Sequence, residues 1–369
     1  MIMSVAATLK MHTPSTLKIR FVSQWHRGTP LQRPRARFLR ATLLLPACLV
    51  AALTAGCALH MKDGGAAGGG AADGAPKGTA SSSANSTANS TTNSAALQAT
   101  SPAALADAMA RQPIVLLGEV HDNAAQHALR AQALQRLVDR GARPAIAFEQ
   151  IDRDRQGAID AIRADATADV ATRAERIVTE AGAKGWDWAL YRPYIVIALQ
   201  NGLPIVGANL SRAQAMRVAT EGYGAVFDAP ERAALGLENV PPDIERAQEY
   251  EIERGHCGQL PADSLPAMAG AQIARDAVLA QSISPYAARG VVLLTGNGHA
   301  RRDIGVLRHL APRDQEHVVA IGLLEDDGKA ADHASDFDAI FLTPVQARPD
   351  PCGNFHHTPM HPAPGIGTR

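Results

Sequence analysis

The sequence predicts an α/β domain with three layers, in which a parallel or mixed sheet carries helices on both faces and a small helical lid. Two observations support this prediction. Short segments that are apolar throughout alternate along the chain with longer helical segments. Continuous apolar runs are typical of parallel strands that are buried on both faces, and the alternating order favours helices on both sides of the sheet.

Six segments predict strands because each is short, apolar and rich in Val, Ile, Leu and Ala. They are Ile114–Gly118, Ala145–Glu149, Ile205–Ala208, Val291–Thr295, Val318–Leu323 and Ala339–Leu342. The helices predicted around them lie near residues 103–111, 124–140, 188–201, 211–220 and 266–287. Residues 221–262 depart from this alternation, and their helical stretches near 228–235 and 243–255 predict a helical insertion or lid.

Residues 1–57 predict a lipoprotein signal peptide. They hold eight Lys or Arg and no Asp or Glu, and the apolar run 41–55 is shorter than the roughly 20 residues of a membrane-spanning helix. The run ends in a sequence, Leu-Thr-Ala-Gly-Cys, that resembles a lipobox, so Cys57 is the predicted lipidation site. Ala58 after it favours the outer membrane. The alternatives are an ordinary secretory signal and an uncleaved anchor.

Composition divides the rest of the chain. Residues 58–100 are dominated by Gly, Ala, Ser, Thr and Asn, which predicts a flexible tether. Residues 101–349 hold the folded domain, and 350–369 predict an irregular tail. Beyond residue 57 the chain has 36 − 8 = 28 positive and 36 negative side chains, a balance of −8 that argues against nucleic-acid binding.

Two cysteines remain beyond the predicted lipidation site. Cys257 and Cys352 are expected to form a disulfide if the protein is exported to an oxidising compartment. The alternative is a pair of free, buried thiols.

Polar residues follow two of the predicted strands and indicate a ligand site. Glu119, His121 and His127 lie where the first strand ends and a helix begins, and His299 follows Gly296-Asn297-Gly298 after a later strand. Ligands of open α/β sheets bind at the carboxyl ends of the strands. If the two strands are neighbours, these side chains meet in one pocket.

Three further residues could line that pocket. Asn209 follows another strand end, and Tyr191 and Tyr194 belong to an aromatic cluster in a chain with 4% aromatic residues. The cluster has a second interpretation, which is ordinary packing of a helix against the sheet.

Several motifs resemble the ChaN haem-binding lipoproteins of bacterial iron uptake. They are GEVHDNxxxH (118–127), WxWALYRPY (186–194), GANLSR (207–212) and TGNGHARRDIGVLRHL (295–310). The resemblance covers roughly residues 105–345. The wider superfamily includes erythromycin esterases and Tiki proteases, which share the Gly-Glu-x-His element.

The resemblance implies bound haem, a tyrosine ligand to its iron, outer-membrane haem or iron uptake machinery as a partner, and a site that two subunits could share in a homodimer. We expect Tyr191 or Tyr194 to be the iron ligand, with Tyr191 first, and Tyr250 and Tyr223 as the second choice. Arg302 and Arg212 are expected partners of the haem propionates. Glu119, His121, His127, Asn209 and His299 are expected to complete the cofactor site.

Two other functions stay open at the level of sequence. A hydrolase of the erythromycin-esterase or Tiki type would use His121 as a general base oriented by Glu119, with His299 at the oxyanion. An envelope lipoprotein with a degenerate pocket would use none of these residues. The resemblance favours haem binding over catalysis.

Overall fold

Seven parallel strands form the centre of the protein in a computed structural model that describes residues 96–350 and Cys352. In chain order the strands are β1 (Ala96–Gln98), β2 (Ile114–Leu117), β3 (Ala145–Asp152), β4 (Ile205–Asn209), β5 (Val291–Leu294), β6 (Val318–Glu325) and β7 (Ala339–Thr343). Their order across the sheet is β1-β7-β6-β2-β5-β3-β4, and each neighbouring pair is parallel. All six predicted strands are confirmed, and the sheet is parallel rather than mixed.

The strand β1 lies within the segment that was predicted to be tether. Ala96 pairs with Ala339 and Gln98 with Phe341, so the strand extends the sheet at the edge that β7 would otherwise leave open. Its local composition resembles that of the preceding low-complexity residues, so the sequence alone does not mark it as a strand. It is a strand because it pairs with β7. The signal peptide and the remainder of the predicted tether lie outside the described residues.

Helices cover both faces of the sheet. In the described residues they are α1 (Pro102–Met109), α2 (Ala124–Asp139), α3 (Gln156–Ala164), α4 (Val170–Arg176), α5 (Trp188–Gln200), α6 (Arg212–Glu221), α7 (Ala229–Ala234), α8 (Pro242–Gly255), α9 (Leu265–Ile283), α10 (Asn297–Ala300) and α11 (Pro312–Gln315). Strand side chains alternate between the two faces. Val115 and Leu117 of β2 pack with α1, α2 and α5, whereas Ile114 and Leu116 pack with α9 and α10. The three-layer fold is therefore confirmed.

The segment predicted as a lid contains the helices α7 and α8. Together with α6 and α9 they enclose a third apolar cluster, which includes Phe227, Ile244 and Ile273. Helices α3 and α4 were not predicted. Both helices are short and lie in a stretch rich in charge. Their buried residues Ile159, Ile162 and Ala174 belong to the same apolar cluster as Val115 and Leu117.

The structure contains the predicted disulfide. Cys257 follows the end of α8, and its Cα lies 5.6 Å from that of Cys352. Asp350 is also described, and the rest of the predicted tail lies outside the described residues. No helix within the described residues has the length and apolar character needed to cross a bilayer.

Candidate functional site at the carboxyl edge of the sheet

Three neighbouring strands, β2, β5 and β3, deliver polar side chains to one edge of the sheet. Leu294, the last residue of β5, is paired with Leu117 of β2 on one side and with Phe148 of β3 on the other. The residues that follow these positions therefore converge, and they include Glu119, Glu149 and the loop that leads to His299. Since these strands are parallel, their carboxyl ends meet at the edge where ligands of open α/β sheets bind.

Glu119 is the centre of a buried network. It is 2% exposed, and its Oε1 accepts hydrogen bonds from the Tyr191 hydroxyl at 2.5 Å and from Nδ1 of His121 at 3.0 Å. Its Oε2 forms an ion pair with Arg130 and lies 3.3 Å from Nε2 of His127. A carboxylate paired with arginine can only accept hydrogen bonds, so Nδ1 of His121 carries the proton.

His127 and Tyr194 support this network from the helices behind it. Nε2 of His127 donates to the backbone oxygen of His121 at 3.0 Å, and the Tyr194 hydroxyl donates to the backbone oxygen of His127 at 3.0 Å. Both side chains are buried. Burial also lowers the pKa of His127, which keeps its ring neutral. These two residues fix the loop around His121 and do not reach its exposed side.

His121 is the member of the network that reaches solvent, with 26% of its side chain exposed. Its ring is nearly perpendicular to that of Trp186, with the ring centroids 4.9 Å apart. It also packs on Gly296, where a Cβ would lie 2.7 Å from Cε1 and Nε2. Burial lowers the pKa of His121, against an opposite effect of Glu149. The neutral ring, protonated on Nδ1, therefore keeps a free electron pair on Nε2.

His299 lies between two carboxylates. Nδ1 donates to Asp276 of α9 at 2.7 Å, and Nε2 lies 3.6 Å from Oε1 of Glu149. Burial opposes a charge on the ring, but Asp276 and Glu149 outweigh it and raise the pKa of His299 to about 9. His299 is therefore an imidazolium at neutral pH.

Glu149 is ionised despite its burial. Burial alone would raise the pKa of its carboxyl, but His299 and His121, the N–H of Gly296 and the hydroxyl of Thr295 lower it to about 2. Oε2 accepts both of these hydrogen bonds, at 2.8 and 2.7 Å. The site thus holds an imidazolium between two carboxylates, beside the neutral ring of His121.

Two further connections frame these charged groups. Nδ2 of Asn209 donates to the backbone oxygen of Glu149 at 2.8 Å, and Arg275 donates to Oδ1 of Asn209 at 2.9 Å. From the lid, Gln248 of α8 donates to Oδ2 of Asp276 at 3.2 Å. Asn209, a predicted site residue, therefore lies next to Glu149, and the lid contacts the same carboxylate that holds His299.

The structure corrects the expected iron ligands Tyr191 and Tyr194. Neither side chain is exposed, and both hydroxyls donate hydrogen bonds inside the domain. Burial raises the pKa of both phenols, which disfavours the phenolate that would bind iron. The second choices, Tyr223 and Tyr250, are half-buried and lie in the lid segment. Burial, followed by Glu245, raises the pKa of Tyr223 to about 12.

Arg302, an expected partner of the haem propionates, is paired with an aspartate of the domain. Its guanidinium forms two 2.7 Å hydrogen bonds with Asp338, which itself accepts from the backbone N–H of Ala320 in β6. Arg302 therefore braces the loop after β5 against β6 and β7. The other expected propionate partner, Arg212, is exposed at the start of α6.

Three site residues were missed by sequence reasoning. Glu149 was seen only as the end of a strand, although the rule that pointed to Glu119 applies to it equally. Asp276 has a signal as well, because it shares the buried face of α9 with Ile273 and Ala277. Arg130 occupies a buried position on α2, where an arginine requires a partner. No group of three or more metal-ligating side chains suited to a metal ion occurs in the part of the chain that the structure describes.

Comparison with known proteins supports the sequence resemblance. Residues 105–310 match the family described as haem-binding uptake, Tiki superfamily, ChaN. ChaN of Campylobacter jejuni, solved with cofacial haem, is similar with a TM-score of 0.51 and 18% identity over 64% of this chain and 89% of that chain. No match was found among curated proteins.

Two other solved structures are similar at lower scores. The type III effector HopBA1 has a TM-score of 0.38 and 13% identity over 67% of this chain and 94% of that chain. A mutant of the erythromycin esterase EreC in its open conformation has a TM-score of 0.34 and 15% identity over 60% of this chain and 72% of that chain. The family match spans more than half of the 369 residues and includes both segments, 118–127 and 295–303, that contribute residues to the site. The chain therefore belongs to the ChaN family of the Tiki superfamily.

Proposed function

We propose that the protein is a haem-binding lipoprotein of the cell envelope that acts in haem and iron uptake. The observation that carries this proposal is the match of residues 105–310 to the ChaN haem-binding family. The residues that carry the family motifs are also the residues that converge at the carboxyl edge of the sheet. Haem would be held at this edge.

The side chains at the edge fit haem in two respects. His121 offers a neutral imidazole with 26% of its side chain exposed, and Glu119 fixes its orientation through Nδ1. Imidazole is an established axial ligand of haem iron, and a carboxylate behind a ligating histidine orients the ring and raises its basicity. Trp186, beside His121, offers an aromatic surface for a porphyrin face.

We therefore place His121 first as the iron ligand, ahead of the half-buried lid residues Tyr223 and Tyr250. Bound haem would supply an Fe(III) centre that accepts one such ligand. The protein would keep the imidazole neutral, orient it through the hydrogen bond that Nδ1 donates to Glu119, and pack its ring on Gly296.

The hydrolase alternative has weaker support. It shares the contact between Glu119 and His121, but the esterase structure is similar at only 15% identity and a TM-score of 0.34. His299, which a hydrolase would place at an oxyanion, is already held between Asp276 and Glu149.

The remaining parts of the proposal concern the envelope. From the leader sequence we propose that Cys57 is lipidated and that the protein lies at the outer membrane. From the family we propose a homodimer that shares the haem and contact with outer-membrane uptake machinery. The acidic balance of the chain beyond residue 57 remains our reason for expecting no nucleic-acid partner.

A hemin titration of the full-length chain in detergent tests the proposal. We expect a saturable Soret shift with a defined stoichiometry, and size-exclusion chromatography with light scattering would report a haem-linked dimer. His121→Ala should lower hemin affinity at least tenfold, whereas His317→Ala, at an exposed histidine, should leave it unchanged. A folded wild-type protein that shows no saturable change would overturn haem binding. If Tyr250→Phe or Tyr223→Phe loses hemin affinity and His121→Ala does not, the assignment of His121 as the iron ligand is wrong.

A further inference from the structure

Arg275 of α9 is a half-buried arginine that forms no ion pair with any carboxylate among residues 96–350. Its Nη1 donates to Oδ1 of Asn209 and to the backbone oxygen of Leu210, each at 2.9 Å. Asn209 ends β4 and donates in turn to the backbone oxygen of Glu149. These bonds fix the guanidinium at the carboxyl edge of the sheet, beside the candidate site.

The other side of this guanidinium is open. Nε and Nη2 of Arg275 have no hydrogen-bond partner in the part of the structure that is described, and neither is a buried unsatisfied atom, so both reach solvent. Nε and Nη2 together form a planar fork that matches the two oxygens of a carboxylate. Because Nη1 already anchors the group, little side-chain freedom is lost when this fork binds a ligand.

A second guanidinium lies near the first. Burial lowers the pKa of Arg275, and the positive charge of Arg212 acts in the same direction. Arg212 is exposed at the start of α6 and also has no ion pair with a described carboxylate. A carboxylate bound at the fork of Arg275 would reduce the repulsion between these two positive charges.

The neighbouring carboxylates do not occupy the fork. Glu149, Asp152 and Asp276 act on Arg275 from a distance and raise its pKa against the effect of burial. Two of them are engaged by His299, which lies 2.7 Å from Oδ1 of Asp276 and 3.6 Å from Oε1 of Glu149. The fork of Arg275 therefore remains available to a ligand from outside the domain.

We propose that the fork formed by Nε and Nη2 of Arg275 binds a propionate carboxylate of haem. This inference rests on the proposed haem-binding function. The propionates are the anionic groups on the rim of the porphyrin, so their partner should lie beside the iron ligand and not at it. Arg275 fits that position, because Asn209 connects it to Glu149, which lies close enough to His121 to affect its pKa.

Titration of the full-length protein in detergent with hemin and with hemin dimethyl ester, followed by absorbance, tests this proposal. Esterification removes the propionate charges and leaves the iron and the porphyrin ring intact. We expect the wild type to bind hemin more tightly than the ester. Arg275→Gln should weaken hemin binding roughly tenfold or more and leave ester binding unchanged. The matched control Arg111→Gln, at an exposed arginine between α1 and β2, should bind both ligands as the wild type does.

A second variant protects the test against a folding defect in Arg275→Gln. Arg275→Lys keeps a positive charge and a donor for Asn209 but has no planar fork, so it should bind hemin more weakly than the wild type and the ester equally well.

Three results would overturn the proposal while leaving haem binding intact. The wild type could bind hemin and the ester equally, Arg275→Lys could bind hemin as the wild type does, or a folded Arg275 variant could lose affinity for both ligands to the same extent. The last result would show that Arg275 only braces the segment after β4. A wild type that binds neither ligand would overturn the proposed function as well.

Discussion

The residues that matter most at the carboxyl edge act in two coupled groups. Glu119 holds His121 as a neutral ring, while Asp276 and Glu149 hold His299 as a cation. One histidine is thus neutral and the other positively charged. Burial outweighs the neighbouring charges at His121, whereas two carboxylates together outweigh burial at His299. The candidate site therefore holds a neutral imidazole and an imidazolium that is paired with two carboxylates.

Gly296 is required by the position of His121. We expect Gly296→Ala to displace the imidazole, because the added Cβ would lie 2.7 Å from two of its ring atoms. Overpacking of this kind lowers the free energy of unfolding by about 1–3 kcal/mol. Chemical denaturation, with the NMR signal of the His121 ring, would measure the effect. Gly298→Ala is the matched control, since a Cβ there meets no atom within 4 Å. Equal stability of the two variants would contradict the close packing.

Stability should depend on pH through His299 and Glu149. The pKa of His299 rises from 6.5 to about 9 on folding, so its contribution is complete below pH 6.5 and is lost as pH rises through about 9. The pKa of Glu149 falls from 4.5 to about 2, so its contribution is present above pH 4.5 and is lost as pH falls through about 2. Urea denaturation across this range should therefore show stability declining at both ends.

The variant Asp276→Asn assigns the alkaline part of this profile. It removes the nearer carboxylate of His299, so NMR titration should show a lower pKa for that imidazole. Asp338→Asn, which removes a partner of Arg302 instead, should leave the His299 titration unchanged. A high His299 pKa that persists in Asp276→Asn would show that Glu149 alone accounts for it.

At the scale of elements, the segment after β7 ties three parts of the fold together. Arg348 forms ion pairs with Asp122 at the start of α2 and with Glu325 at the end of β6. Four residues further on, Cys352 is bonded to Cys257 after α8. The disulfide thereby links the lid covalently to the segment whose Arg348 pairs with Asp122, the residue that follows His121.

The disulfide should contribute substantially to stability. It joins residues 95 apart in sequence, and native disulfides that close long loops typically stabilise by about 2–5 kcal/mol. We expect the double variant Cys257→Ser, Cys352→Ser to lose about this much free energy of unfolding in urea. Dithiothreitol should weaken the wild type similarly and leave the double variant unaffected. Alkylation of both thiols in the native, unreduced protein would refute the bond.

At the scale of the whole molecule, the proposed anchor determines where the domain works. If Cys57 carries lipid, Cys57→Ser should release the protein from the membrane fraction and abolish incorporation of labelled palmitate. Cys48→Ser, within the apolar run of the leader, is the control and should remain lipidated. Membrane association that survives in Cys57→Ser would indicate an uncleaved anchor instead.

Local pattern accounts for most of the fold but not for every element. The continuous apolar runs were sufficient to place β2 to β7, because a strand buried on both faces has little freedom of composition. The strand β1 escaped notice because it depends on the open edge of β7 and not on its own residues. Helices α3 and α4 escaped because a few apolar residues bury them, on segments otherwise rich in charge.

The sequence by itself determined the α/β class and the resemblance to ChaN, and it predicted Glu119, His121 and His299 as site residues, because each follows a strand end that the local apolar pattern marks. Only the tertiary structure decided which partners these residues have. It added Glu149, Asp276 and Arg130, buried Tyr191 and Tyr194, and moved Arg302 to Asp338. The physical reason is that charge state and access depend on neighbours that the register of a parallel sheet brings together from distant parts of the chain.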